Sequence, residues 1–304
     1  MTDILRDVMA LMEPGKKTEA RKLLDTGPGV SVLPSRKLPS GRRQHTILLA
    51  GVLLVAALGL LVYGYLSSTR CSRTPGLCPR ILFIGNSYTY VNDLPGAFAR
   101  LASAGGHEIE TGMMAEGGWR LVDHAGSAGT LDKLQSSKWN FVVLQEQSQI
   151  PSVEVIRTKD MYPAARTLVG QIRAEGATPI FFLTWGHRQG WPDNGLGSYE
   201  DMQLQLNRGY LMIAQELNVS VVPVGYAWSL ARQQNPPLDL WQEDGSHPSE
   251  QGTYLAACVF YAAIFRESPE GLSYTAHVPK DVAQVLQTIA ADAVLKDPQQ
   301  WYLP

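Results

Sequence analysis

From about residue 80 onward the chain alternates short apolar runs with longer stretches in which apolar residues recur every three or four positions. The runs at 81–84, 109–113, 141–144, 179–184 and 220–224 predict strands. Most are continuous rather than alternating, the pattern of parallel strands buried on both faces. Stretches at about 94–105, 130–137, 159–175, 199–217 and 248–265 predict helices. In 199–217, Met202, Leu206, Tyr210, Ile213 and Leu217 recur at spacings of three and four, which lines them along one helix face. Five strands with helices between them predict a three-layer α/β/α sandwich around a mostly parallel five-stranded sheet. Such sheets carry their sites beyond the carboxyl ends of the strands. Ser87, Gln147 and Trp185 each fall just after a predicted strand, so one shared site is expected there.

A different pattern precedes this region. Residues 46–66 form an uncharged run of 21 residues, TILLAGVLLVAALGLLVYGYL, apolar on every helical face. About 20 such residues span the hydrocarbon core of a bilayer, whereas a globular surface helix is amphipathic. Arg42 and Arg43 stand before it, and Tyr63 and Tyr65 lie near its far end, where interfacial aromatics belong. The sequence therefore predicts a basic tail over 1–45, a transmembrane helix over 46–66, a linker over 67–79 and a globular domain over 80–304. About 45 residues ahead of the apolar run do not resemble the short n-region of a cleaved signal peptide. Positive charge concentrates before the span, which predicts a cytoplasmic N-terminus and an exterior globular domain, periplasmic or extracellular, beside the cytoplasmic membrane.

The overall net charge of −2 and 45 % hydrophobic content exclude general disorder and give no footprint for a nucleic-acid partner. The three cysteines fit the exterior placement. Cys71 and Cys78 flank a Pro-Gly turn in CSRTPGLC, where a small local disulfide or two free thiols are both open. Cys258 sits in the apolar run YLAACVFYAAIF and reads as a core residue. No second Cys/His pair has ligand spacing, so no metal is expected.

Two segments carry chemistry. ILFIGNSYTY (81–90) puts Ser87 on the turn after the first strand, with Gly85 expected to permit a tight backbone turn. DGSHPS (244–249) supplies Asp244 and His247 three residues apart, and Pro248 suits the first position of the following helix. A serine hydroxyl needs a base to remove its proton, and a carboxylate on one imidazole nitrogen fixes the tautomer that frees the other. Ser87, His247 and Asp244 are therefore candidates for a nucleophile, a base and its orienter.

These segments resemble the first and last blocks of the SGNH/GDSL hydrolase superfamily, with Asn86 where many members carry Asp. EGGWRL (116–121) resembles the second block, whose glycine amide helps form the oxyanion hole; Gly118 is the choice and Gly117 the alternative. VVLQEQSQ (142–149) occupies the place of the third block, with Gln145-Glu146-Gln147-Ser148 where Gly-x-Asn-Asp usually stands. The resemblance covers roughly residues 80–266 and implies an SGNH-hydrolase, flavodoxin-like fold and a cofactor-free serine esterase or deacetylase. Ser87 and Gly118 amides with the Gln147 carboxamide would form the oxyanion hole, Gln147 reaching one methylene further than the usual Asn. Trp119, Glu146, Trp185 and His187 are candidates for substrate contacts. The resemblance together with the exterior placement implies an O-acylated envelope or extracellular glycan as substrate. A lipid esterase, a glycan O-acyltransferase and a non-catalytic glycan-binding or scaffold module remain alternatives.

Overall fold

The computed structural model describes residues 78–303. The predicted basic tail, the predicted membrane span and Cys71 lie outside the described residues; among those described, no helix is long and apolar enough to cross a membrane.

Five strands form one parallel sheet: β1 (Arg80–Gly85), β2 (Glu110–Ala115), β3 (Phe141–Leu144), β4 (Thr178–Phe182) and β5 (Ser220–Val222), in the spatial order β2-β1-β3-β4-β5. Ile81–Ile84 and 142–144 are fully buried, as continuous apolar strands covered on both faces must be. Among the described residues, the α-helices of five residues or more that flank the sheet are α1 (Leu94–Ala104), the short α2 (Leu121–Ala125), α3 (Ala128–Gln135), α4 (Tyr162–Ala174), α5 (Tyr199–Leu217), α6 (Val224–Gln234), α7 (Glu250–Phe265) and α8 (Lys280–Leu295). On one face, α6, α7 and α8 pack together and α1 packs on α7; on the other, α4 contacts α2 and α5. Neighbouring residues of β4 point to opposite layers. Phe182 meets Phe260 of α7 edge-on at 5.1 Å, while Phe181 meets Tyr210 of α5 at 6.3 Å.

The predicted three-layer sandwich is what the chain forms, with adjustments at element ends. The run 220–224 splits at Pro223, which ends the strand and leaves Val224 to begin α6. The stretch 159–175 opens as a wider π-type turn over Arg157–Met161 before α4. Helix α7 starts at Glu250 with Ser249 as its cap, the Ser249 hydroxyl accepting from the Gly252 amide at 3.1 Å. Pro248 thus precedes the cap instead of occupying the first helical position. Residues 252–263 of α7 are buried on all sides because α1, α8 and the sheet enclose the helix. Helices α2, α6 and α8 have no counterpart among the predicted elements. For α8 the signal was present, since Leu286, Ile289, Ala290, Ala293 and Val294 recur along one buried face.

The strand order fixes where a site can form. From β1 the chain moves outward to β2 and then returns past β1 to β3, so the connections leaving β1 and β3 diverge. A crevice opens beyond the carboxyl ends of the strands at such a reversal. Ser87 follows β1 and Gln147 follows β3, one on each side of it.

Candidate active site

Ser87 begins a single helical turn, Ser87–Tyr90, at the end of β1. Asn86 caps that turn by accepting from the Tyr88 amide at 3.1 Å. The Gln145 carboxamide grips Asn86 twice: its Oε1 accepts from the Asn86 amide at 2.8 Å, and its Nε2 donates to Asn86 Oδ1 at 2.9 Å. Asn86 Nδ2 in turn donates to the Trp119 carbonyl at 2.9 Å. An amide both donates and accepts, so Asn86 joins the nucleophile turn to two other loops; an Asp there lacks the donor for Trp119. Gly85 is explained by space rather than by the expected turn. A Cβ at this position would overlap Gln145 Oε1 and Thr89 Oγ1, and Gly85 is not among the residues with positive φ.

The loop between α6 and α7 brings the candidate base to the candidate nucleophile across 160 residues of sequence. His247 Nε2 lies 2.9 Å from Ser87 Oγ, and His247 Nδ1 lies 2.5 Å from Asp244 Oδ2. The carboxylate can only accept, so Nδ1 carries the proton and Nε2 is left to accept from the serine hydroxyl. Asp244 Oδ1 also accepts from the amides of Ser246 (2.9 Å) and His247 (3.0 Å). Partial burial works against the Asp244 charge, but the His247 ring and these two amides outweigh it and hold its pKa below the usual carboxylate value. The Asp-Gly-Ser-His turn thus rigidifies its own acid–base pair.

Beside this relay lies a cavity of about 440 Å³, whose lining includes Ser87, Gly117, Gly118, Gln147, His187 and His247. Gly118 has φ +73, left-handed backbone that favours glycine, and open space surrounds its Cα. Its amide takes part in no backbone hydrogen bond among the described residues. The Ser87 amide, first in its helical turn, has no intrahelical acceptor. Gln147 Oε1 accepts from the amides of Gln149 (2.9 Å) and Ile150 (3.3 Å), which orients the carboxamide and leaves Nε2 only a long 3.4 Å contact with Gln149 Oε1. Ser87 N, Gly118 N and Gln147 Nε2 are thus three donors at one cavity.

The opposite wall is polar. Ser246 Oγ lies 2.8 Å from Tyr88 Oη and 3.2 Å from His187 Nε2, which is also 3.0 Å from Ser148 Oγ. Burial lowers the His187 pKa, so its imidazole is neutral at neutral pH. Tyr88, Ser148 and Ser246 were not singled out in the sequence; only their adjacency to Ser87, Gln147 and His247 hinted at them.

The four proposed substrate contacts separate. His187 lines the cavity. Trp185 is fully buried behind it, stacked between Tyr88 (4.6 Å) and Trp228 (4.1 Å), with Nε1 donating to the Ser246 carbonyl at 3.0 Å. It supports the triad loop and touches no substrate space. The Trp119 ring lies edge-on against His124 at 4.9 Å, outside the cavity lining. Glu146 is fully buried, accepting with Oε1 from the amides of Gln147 (2.7 Å) and Leu121 (3.1 Å). His124, also buried, donates from Nε2 to the Gly85 carbonyl at 2.8 Å and accepts at Nδ1 from Thr130. Burial lowers its pKa, as a neutral structural histidine requires.

Solved structures with this architecture include a protein from Slackia heliotrinireducens described as a candidate SGNH hydrolase. It is 29 % identical at a TM-score of 0.51, covering 60 % of this chain and 97 % of its own. The fold is that of the SGNH hydrolases. A DUF4886 family protein from Bacteroides uniformis superposes at a TM-score of 0.63 with 19 % identity, over 72 % of this chain and 95 % of its own. A lipase/acylhydrolase from Enterococcus faecalis gives 0.50 and 18 %, over 63 % and 98 %. No family model matches the chain, and no curated protein matches it.

Proposed function

We propose that this SGNH-fold chain is a serine esterase that removes short acyl groups, O-acetyl above all, from glycans outside the cytoplasmic membrane, tethered there by residues 46–66. The observation that carries the reading is the relay from Ser87 through His247 to Asp244, with contacts of 2.9 and 2.5 Å, beside a cavity that Gly118 and Gln147 also line. Ser87 Oγ attacks the ester carbonyl while His247 Nε2 takes its proton, and Asp244 stabilises the resulting imidazolium. The carbonyl oxygen becomes an oxyanion facing the amides of Ser87 and Gly118 and the Gln147 carboxamide. Collapse of the tetrahedral intermediate expels the alcohol, protonated by His247. Water, activated by the same imidazole, then releases the acid from Ser87.

The preference for a short acyl chain on a polar alcohol rests on the cavity wall. Hydroxyls of Tyr88, Ser148 and Ser246 and a neutral imidazole line it, and a polar alcohol can exchange hydrogen bonds with this network where a long alkyl chain cannot. The exterior location rests on the charge asymmetry around 46–66.

The test uses the full-length protein with p-nitrophenyl acetate, p-nitrophenyl palmitate and an acetylated glycan, alongside folded S87A and H247A variants. Release of acetate from glycan and from the acetyl ester, abolished in both variants, is expected. Absence of hydrolysis on every ester, together with no fluorophosphonate adduct on Ser87, would end the esterase reading; preference for palmitate would end the short-acyl reading. A reporter fused to the C-terminus that reads as cytoplasmic would remove the exterior assignment.

A further inference from the structure

The segment 145–148 grips Asn86 through Gln145 and lines the cavity through Gln147 and Ser148, while Glu146 turns away from the cavity and has no place in the mechanism above. Its carboxyl is fully buried, yet it faces no substrate. Oε1 receives two amides, from Gln147 at 2.7 Å and from Leu121 at 3.1 Å. Oε2 is buried with no hydrogen-bond partner among the described residues. The two amides come from two separate segments, each of which carries residues that line the cavity. Gln147 carries the carboxamide donor after β3. Leu121 opens α2 three residues beyond Gly118, at the end of the loop whose Trp119 carbonyl is held by Asn86.

We propose that Glu146 is a positioning residue, one carboxyl oxygen that fixes the spacing between the Gly118 loop and the Gln147 segment and so sets the width of the oxyanion hole. This rests on the reading of Ser87 as the nucleophile. An oxyanion hole works only when its donors are already aimed at the place where charge develops. The Gly118 loop has left-handed backbone and open space at its tip, so its position comes from its two anchored ends. Asn86 anchors it through Trp119, and Glu146 anchors it through Leu121. The same oxygen holds the Gln147 amide, so the two walls cannot drift apart without breaking a hydrogen bond to a buried acceptor. The groups facing the carboxyl from neighbouring elements are Arg120 and Asp123 beside α2, Tyr210 of α5, whose hydroxyl receives the Glu146 amide at 3.1 Å, and the two amides. Burial raises its pKa to about 7, with the Gln147 and Leu121 amides and Arg120 opposing that rise. The acceptor therefore changes charge near neutrality, which makes it visible.

The experiment follows the backbone amide protons of Leu121 and Gln147 in the full-length protein by NMR from pH 5.5 to 8.5, in wild type and E146Q. An N–H donated to a carboxyl oxygen shifts as that carboxyl ionises. Both amides should titrate with one midpoint in wild type, and neither should in E146Q, whose amide oxygen still accepts but carries no charge. On p-nitrophenyl acetate, E146A should lose about 100-fold in kcat with KM nearly unchanged, because the hole is misplaced while substrate contacts stay. E146Q should retain most of kcat. Amides that titrate with different midpoints, or do not titrate, overturn the proposal, as does a folded E146A that keeps wild-type kcat. If E146A unfolds, the amide titration decides. A wild type that hydrolyses no ester removes the esterase reading alone, because the common midpoint still tests whether one carboxyl holds both segments.

Discussion

Glu146 also makes a quantitative claim on stability. A carboxyl whose pKa is about 7 in the fold and about 4.5 when exposed binds its proton more tightly in the native state. Between those two values the native protein carries more protons than the unfolded chain. The stability contribution is therefore complete below about pH 4.5 and is lost as pH rises through about 7. The gap corresponds to about 3 kcal/mol, a substantial part of a typical domain's 5–15 kcal/mol. Solvent screening removes little of it, since the group is fully buried and one oxygen has no partner. Buried His124 and half-buried His187 pull the other way in acid, because their lowered pKa values make the native state bind fewer protons than the unfolded chain there. E146Q separates the effects: the histidines are common to both proteins, and the difference in stability isolates the carboxyl. Urea unfolding followed by tryptophan fluorescence suits the measurement, because all seven tryptophans lie between residues 119 and 301. The stability of wild type relative to E146Q should fall by about 3 kcal/mol from pH 4.5 to pH 8. A difference that stays flat across this range would show that Glu146 is not held as a destabilised carboxylate, and the reasoning from its burial would fail.

Other outcomes follow from the same geometry. D244N should keep KM on p-nitrophenyl acetate and lose about 10³-fold in kcat, because the amide no longer fixes the His247 tautomer; stopped-flow kinetics read it directly. N86D removes the donor to the Trp119 carbonyl while keeping the acceptor for Tyr88, and should lower kcat by about 10-fold, the equivalent of one hydrogen bond. G85A should destabilise by about 1–3 kcal/mol in urea, since its Cβ meets Gln145 and Thr89 at once. W185A should lose about 3–5 kcal/mol and the near-ultraviolet circular dichroism of the stacked Trp185–Trp228 pair.

The fold was legible because it follows from local pattern. Runs such as FVVL at 141–144 are apolar throughout, which only a doubly covered strand accommodates, and the period of 199–217 gives α5 to the residue. The elements missed are those whose character is set elsewhere. Val224 is as β-prone as its neighbours, and Pro223 rather than propensity ends the strand there. The candidate triad was likewise legible in part: GNSYT and DGSHPS name its residues, and the Asp244–His247 pair is local to one turn. That Ser87 and His247 meet across 160 residues follows from the resemblance and the strand order, since no local rule sets the distance between two strand ends.

By itself the sequence determined the parallel sheet, the candidates for nucleophile, base and orienter, and the departure of the third block from Gly-x-Asn-Asp. Tertiary structure alone decided which groups face the cavity and which stand behind it. Trp185 and Glu146 sit beside site residues in the chain yet point into the core, while Ser148 and Ser246, unremarkable in sequence, reach the cavity wall. The reason is that composition and period fix how much of a segment is buried. Which side of a loop residue faces solvent depends on the packing of chain segments far apart in sequence, here α2 and α5 closing over Glu146 and Trp228 over Trp185.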